Sequence, residues 1–201
     1  GKDFVWWLGA LGKWDLVAQT PGTEHVTIAV SGAYGGQNID FRRLAGEGLV
    51  LLGRTKTCVD GVLSLAEDLQ ANVTQGDRYL ERLLDECDDH VRSNGLDLPE
   101  DPEGRRVYPD PECLTNPVLR LDLKAEGIGT IIWATGFAFD YGWLDLDVLT
   151  PEGRPDHVKG VTREPGFYFV GLPWLTRRGS SFLWGCWKDG ESIAAAVAAR
   201  S

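Results

Sequence analysis

The sequence predicts an α/β protein with parallel strand pairing, on three observations. Short β-branched or apolar runs end in Gly-containing turns, amphipathic helical stretches follow some of them, and one strand–helix–strand succession is compact. In that succession a strand, a Gly-rich loop, a short helix and a second strand fit between His25 and Leu52. A crossover that short joins parallel strands in a layered α/β arrangement.

Asp3 is placed to cap a helix running to about Gly12. Its Phe4, Val5, Trp6, Trp7, Leu8 and Leu11 are apolar on every side, so it requires cover all round. After Pro21-Gly22, the run His25–Val30 has strand composition. Ser31–Asn38 is a Gly-rich loop, Asp40 caps a helix through Leu44, and Leu49–Leu52 is a second apolar strand. Val62–Ala66 is a further short strand. The spacing of Leu80, Leu83, Leu84, Cys87 and Val91 predicts a helix over Gly76–Asn94 closed by Gly95, with acids on its outer face. Leu96 to Pro117 holds five of the ten prolines and little periodicity, which marks a linker. Strands follow at Gly129–Trp133 and Gly166–Val170, and a helix from about Trp187 to Arg200 has Ile193, Ala194 and Val197 inward.

Composition excludes several classes. The formal charge is −10, from 20 basic and 30 acidic residues, and no basic stripe interrupts it, so nucleic acid and anionic membrane are poor partners. The acids between Asp85 and Glu103 read as a solvated helix face and linker. No run is apolar enough for a membrane span. Cys58, Cys87, Cys113 and Cys186 show neither a C-x-x-C pair nor a zinc pattern, which predicts reduced thiols and a cytoplasmic protein. The start at Gly1 and the lack of any Met predict a piece of something longer.

Catalytic constellations are scarce. Gly127-Ile128-Gly129 precedes a strand and is a turn, while Gly32–Gly36 lies between strand and helix with the wrong spacing for a dinucleotide fingerprint. His25, His90 and His157 read as surface histidines, and Ser180-Ser181 lacks a nucleophile elbow. Asp145 and Asp147 alternate like the outer face of an extended segment, and no metal pattern joins them. The tail stands out instead. Two predicted strands end in Thr135-Gly136 and Gly171-Leu172, and the second leads through Arg177–Ser181 into the last helix. Ligands of open α/β sheets bind beyond the carboxyl ends of strands, where Gly admits close approach and a helix N-terminus favours negative charge. An anionic or planar cofactor suits that arrangement.

At these residues a family resemblance enters. Ile131–Tyr141, with Ala134-Thr135-Gly136-Phe137, resembles the A-T-G-[FY] segment of flavin-containing monooxygenases and related FAD oxidoreductases. Gly166–Leu172 resembles the late strand that reaches the flavin there. Arg177–Gly185, Asp3–Leu8 and Asp40–Leu44 are similar to segments of the bacterial, YUCCA-like branch. The resemblance implies parts of two Rossmann-like domains: residues 1–95 the latter part of an NADPH-binding domain, 96–117 a linker, and 118–201 the C-terminal part of an FAD-binding domain. Both dinucleotide fingerprints would lie upstream. It implies an FAD- and NADPH-dependent monooxygenase acting on a small organic substrate through a flavin hydroperoxide, with the cofactor carrying the chemistry. Thr135, Gly136 and Phe137 would lie near the FAD, Gly171 and Leu172 near its ribityl and pyrimidine side, and Arg178, Gly179, Ser180 and Ser181 in the adjoining loop. A fragment of such an enzyme would be inactive alone. Two alternatives stay open: an NAD(P)H-dependent flavin oxidoreductase without oxygenation, and a non-catalytic α/β scaffold whose opening helix is covered by a missing N-terminal half, a partner or a second copy.

Overall fold

The computed structural model of the chain describes residues 2–17, 30–31 and 37–200. In chain order its elements are α1 (Phe4–Ala10), β1 (Val30–Ser31), β2 (Gln37–Asn38), α2 (Phe41–Gly46), β3 (Thr55–Val59), β4 (Val62–Leu65), α3 (Leu69–Asn94), α4 (Glu112–Thr115), β5 (Arg120–Asp122) and α5 (Cys186–Ala198). Single 3-10 turns stand at Lys13–Asp15 and Arg178–Ser181. The chain divides into two compact units, one of Thr27–Ala134 and one of Lys2–Val26 with Thr135–Ser201.

In the first unit the strand order is β3-β4-β5, antiparallel throughout, with Val59 opposite Val62 and Leu63 opposite Leu121. Asp60 and Gly61, both at positive φ, form the two-residue turn between β3 and β4. That is the hairpin connection whose twist matches its strands. Asp40 caps α2 as expected, its carboxylate accepting from the Arg43 N–H at 2.8 Å. Helix α3 starts seven residues before the predicted Gly76, because Leu69 is buried and anchors the extra turns. Its Leu83 and Cys87 face the core with Leu65 and Leu114, and Gly95 ends it in the left-handed conformation. Asp68, just ahead of α3, accepts from the Arg54 N–H at 3.0 Å, and that bond holds its carboxyl below the ordinary range.

The guanidinium of Arg42 organises this unit. It grips Asp77 through Nη1 and Nη2 at 2.9 and 2.7 Å and Asp110 through Nε at 2.6 Å. One planar fork thereby fixes α2 against α3 and against the residues leading into α4. Its pKa is raised, foremost by the bonds to Asp77. The stretch predicted as a linker is stitched down as well, Arg105 reaching Asp85 at 3.0 Å and Asp88 at 2.6 Å on α3.

The second unit has its core at Val148, Phe169 and Leu175, with Leu144, Leu149, Phe167 and Leu172 packed on it. Leu8 of α1 and Ile193 of α5 are also buried. Of the inward set predicted for α5 only Ile193 is buried, Ala194 and Val197 being exposed. Val158 and Val161 exchange both backbone hydrogen bonds, at 2.9 and 3.0 Å, across the positive-φ pair Lys159-Gly160. His157 leans on Phe169, ring centroids 5.9 Å apart, and its Nδ1 accepts from the Gly160 N–H at 3.2 Å. It is half-buried, not the surface histidine its charged surroundings suggest.

The parallel pairing is overturned. All three strand pairs among the described residues are antiparallel, β1 with β2 included. Leu49–Leu52 and Gly129–Trp133 form no strand, and Gly166–Val170 contributes only a single antiparallel bridge, Val161 to Tyr168. These runs have strand composition, but a strand exists only where a neighbour supplies the ladder. Most of the His25–Val30 strand and the Gly-rich loop at 32–36 lie outside the described residues. What stands is a mixed α and β protein with a small antiparallel sheet.

Three measurements test the packing of the two units. A Cβ at Gly160, where φ is +85°, would meet the Phe169 carbonyl oxygen at 2.4 Å and Ile193 Cδ1 at 2.9 Å. Gly160→Ala therefore lowers stability in urea unfolding by about 1–3 kcal/mol. Gly76→Ala, on α3 with nothing within 4 Å, raises it by about 0.5–1 kcal/mol. Burial lowers the His157 pKa from its ordinary 6.5, outweighing the pull of Asp156. The unfolded chain then binds the proton more tightly, so this contribution is complete above pH 6.5 and is lost as pH falls through the folded value. Thermal melts from about pH 7 to pH 5 should show that loss, and His157→Asn should flatten it.

Candidate cofactor-binding site

Asp3 opens α1 by accepting from the Trp6 N–H at 2.8 Å, and Gly12 turns the chain in the left-handed region into Lys13–Asp15. This delivers Trp14 and Asp15 onto the C-terminal segment. Trp14 packs on Phe182 at 5.0 Å and Trp184 at 5.2 Å between ring centroids, and donates from Nε1 to the Val5 carbonyl at 3.2 Å. Asp15 accepts from Arg177 Nη1 at 3.0 Å and Lys188 Nζ at 2.6 Å. Both bonds, the Lys188 one foremost, hold its carboxyl below the ordinary range. The Arg178 N–H donates to the Leu16 carbonyl at 2.8 Å.

The turn so pinned is Arg178–Ser181. Ser180 is fully buried, and its hydroxyl accepts from the N–H groups of Thr176 and Arg177, each at 3.1 Å. Gly179 and Gly185 meet backbone to backbone: a Cβ on Gly185 would lie 2.2 Å from the Gly179 carbonyl oxygen. The Arg178 guanidinium is 4% exposed and lies over the Trp14 ring, 5.6 Å from its centroid. Among the described residues its Nε and Nη2 have no hydrogen-bond partner. Asp189, in the first turn of α5, is 1% exposed. One oxygen accepts from the Thr176 hydroxyl, and the other has no partner among the described residues.

Of the residues singled out in the sequence, Arg178, Gly179, Ser180 and Ser181 share this turn, the first three buried and Ser181 exposed. Gly171 is exposed at φ +80°, and Leu172 packs on the core. Thr135, Gly136 and Phe137 are exposed, Phe137 completely, and no strand delivers them. Trp14, Asp15, Thr176 and Asp189 escaped the sequence reading. Asp189 stands near a helix start, but with Lys188 and Glu191 beside it nothing local showed that it would be buried. The described residues include no group of three or more His, Cys, Asp or Glu able to hold a metal, and no helix long and apolar enough to cross a membrane.

Comparison with known proteins gives partial likenesses. No family profile matches the chain, and no solved structure does. The chain is 40% identical over 94 residues to a Geobacillus kaustophilus protein named "Uncharacterized oxidoreductase CzcO-like", a stretch covering 45% of this chain and 27% of that one. It is 43% identical over 79 residues to "Uncharacterized oxidoreductase CzcO" of Bacillus velezensis, and 42% identical over 79 residues to the Bacillus subtilis protein of that name. In both, the stretch covers 39% of this chain and 23% of the relative. The chain thus matches about a quarter of the length of these curated relatives.

Removing the hydroxyl donor that serves the buried Asp189 should be costly. Thr176→Val, similar in shape, leaves both carboxylate oxygens unpartnered and lowers stability by about 1–3 kcal/mol in chemical denaturation. Thr176→Ser keeps the hydroxyl and most of the stability.

Proposed function

We propose that the chain is part of an FAD- and NADPH-dependent oxidoreductase of the monooxygenase kind, acting on a small organic substrate. The carrying observation is the buried, incompletely hydrogen-bonded Arg178, in a turn whose sequence resembles the segment next to the cofactor in flavin-containing monooxygenases. The oxidoreductase names of the three partial relatives support the same class. A buried guanidinium with open N–H groups suits the oxygens of a nucleotide cofactor. Gly171, exposed at positive φ, lets a planar ring or ribityl chain approach the backbone. Bound flavin would supply the redox chemistry. The protein's part is to bind and orient it, with Arg178, Gly179, Ser180 and Ser181 on one side and Gly171 and Leu172 on another.

The exposure of Thr135, Gly136 and Phe137 favours a second reading, a non-catalytic scaffold, over a chain that holds FAD firmly by itself. FAD titration followed by gel filtration separates them. A weak, saturable change in the flavin bands, lost on the column, is expected, with little response to NADPH. Gly171→Val should weaken it by about tenfold, a change of ~1.4 kcal/mol. A chain that leaves the flavin spectrum untouched at every concentration favours the scaffold, and tight stoichiometric retention contradicts the weak binding proposed here.

A further inference from the structure

Val158 and Val161, paired across their turn, line a hollow of about 490 Å³ together with Asp156, His157, Thr162 and Arg163. That volume lies in the range of small-molecule sites. The two charged residues of its wall answer each other, Arg163 Nη2 lying 3.1 Å from Asp156 Oδ2. Asp147 adds a second carboxylate to the same guanidinium at 3.3 Å. The Thr162 hydroxyl is spent on the carbonyls of Glu164 and Phe167. Val158 is 77% exposed, so part of the wall is an apolar side chain facing water.

The imidazole of His157 is fixed from two directions. It leans on the Phe169 ring, and its Nδ1 accepts from the Gly160 N–H. Gly160 is held in turn, its carbonyl accepting from the Phe169 N–H at 2.8 Å. A neutral imidazole that accepts at Nδ1 carries its proton on Nε2. Among the described residues Nε2 has no hydrogen-bond partner, and it is not sealed from solvent as Arg178 Nε and Nη2 are. His157 therefore offers the hollow an uncharged N–H donor. It offers no base, because the one free lone pair of the ring is engaged by Gly160. A donor held in place before a ligand arrives loses little side-chain entropy on binding.

We propose that this hollow seats a small neutral ligand with an apolar body and a carbonyl oxygen. The oxygen accepts from His157 Nε2, and the body lies on Val158 and Val161. Charged ligands are disfavoured, because an anion has to compete with Asp147 and Asp156 for Arg163, and a cation with Arg163 for those carboxylates. The seat uses neither the Arg178 turn nor Gly171, and it needs no flavin.

The test is nuclear magnetic resonance of the histidine ring nitrogens in the unaltered, nitrogen-15-labelled chain, at about pH 7.5 where the His157 ring is neutral. The free chain should show the His157 proton on Nε2. Acetophenone, a neutral aromatic ketone, should then shift that resonance saturably. Ethylbenzene, of similar shape without the oxygen, and benzoate, which adds a charge, should each bind more weakly by about fivefold. His157→Asn should abolish the saturable binding, read from the ligand's own resonances. Val158→Ser alters only an exposed side chain of the wall, so weakened binding by this variant decides the matter if the Asn variant fails to fold. Val107→Ser, at an exposed position of the first unit, should leave binding unchanged. A proton on Nδ1, no saturation by acetophenone, or equal binding of ethylbenzene or benzoate overturns the proposal. So does unweakened binding by Val158→Ser or by a folded Asn variant.

Discussion

The second unit depends on a clasp between parts of the chain more than 160 residues apart, Asp15 holding Arg177 and Lys188 at once. As an exposed ion pair this would be worth little. Its importance is geometric, because Trp14 next door inserts between Arg178, Phe182 and Trp184. Without that wedge the Arg178–Ser181 turn would have no floor, and the guanidinium would swing into water. The apolar opening helix finds part of its cover here, Leu8 becoming fully buried while Val5 and Trp6 stay partly exposed.

Around the clasp, backbone economy and buried charge work together. Gly179 and Gly185 allow two backbones to touch, which brings the start of α5 against the turn and leaves Asp189 no route to solvent. Ser180 ties down the preceding N–H groups with one oxygen. The result is a rigid, buried polar cluster in which Arg178 Nε and Nη2 and one Asp189 oxygen have no hydrogen-bond partner among the described residues. Rigid, desolvated groups of this kind are where a fold gives up stability in exchange for recognition. The first unit uses its part-buried cation differently: the Arg42 guanidinium donates to Asp77 and Asp110 and so ties three segments together.

Much of the helical structure was legible residue by residue. Asp3 and Asp40 each accept the predicted capping bond, the Leu83–Cys87 stripe turns inward, and Gly95 ends α3 in the expected conformation. Helix periodicity and caps are local physics, so a sequence states them directly. Strands were less legible. Val62–Leu65 pairs, whereas Gly129–Trp133 does not and leaves Ile132 85% and Trp133 78% exposed. Asp60-Gly61 announced a hairpin, and therefore antiparallel pairing, more clearly than the apolar runs announced a parallel sheet.

The sequence by itself determined the caps at Asp3 and Asp40, the inward Leu83 and Cys87 of α3 and the Gly95 stop that ends it. Each of these is decided within a few residues, by φ preferences, side-chain spacing and local hydrogen bonds. Only the tertiary structure decided which charges would be buried and which answered. Arg178 and Arg42 look alike as letters, and no local rule tells that one meets two carboxylates and the other none. The difference arises from partners 35 and 68 residues away in one case, and from Trp14 closing over the guanidinium in the other. Pairing across such distances depends on how the chain returns on itself, which is a property of the packed whole.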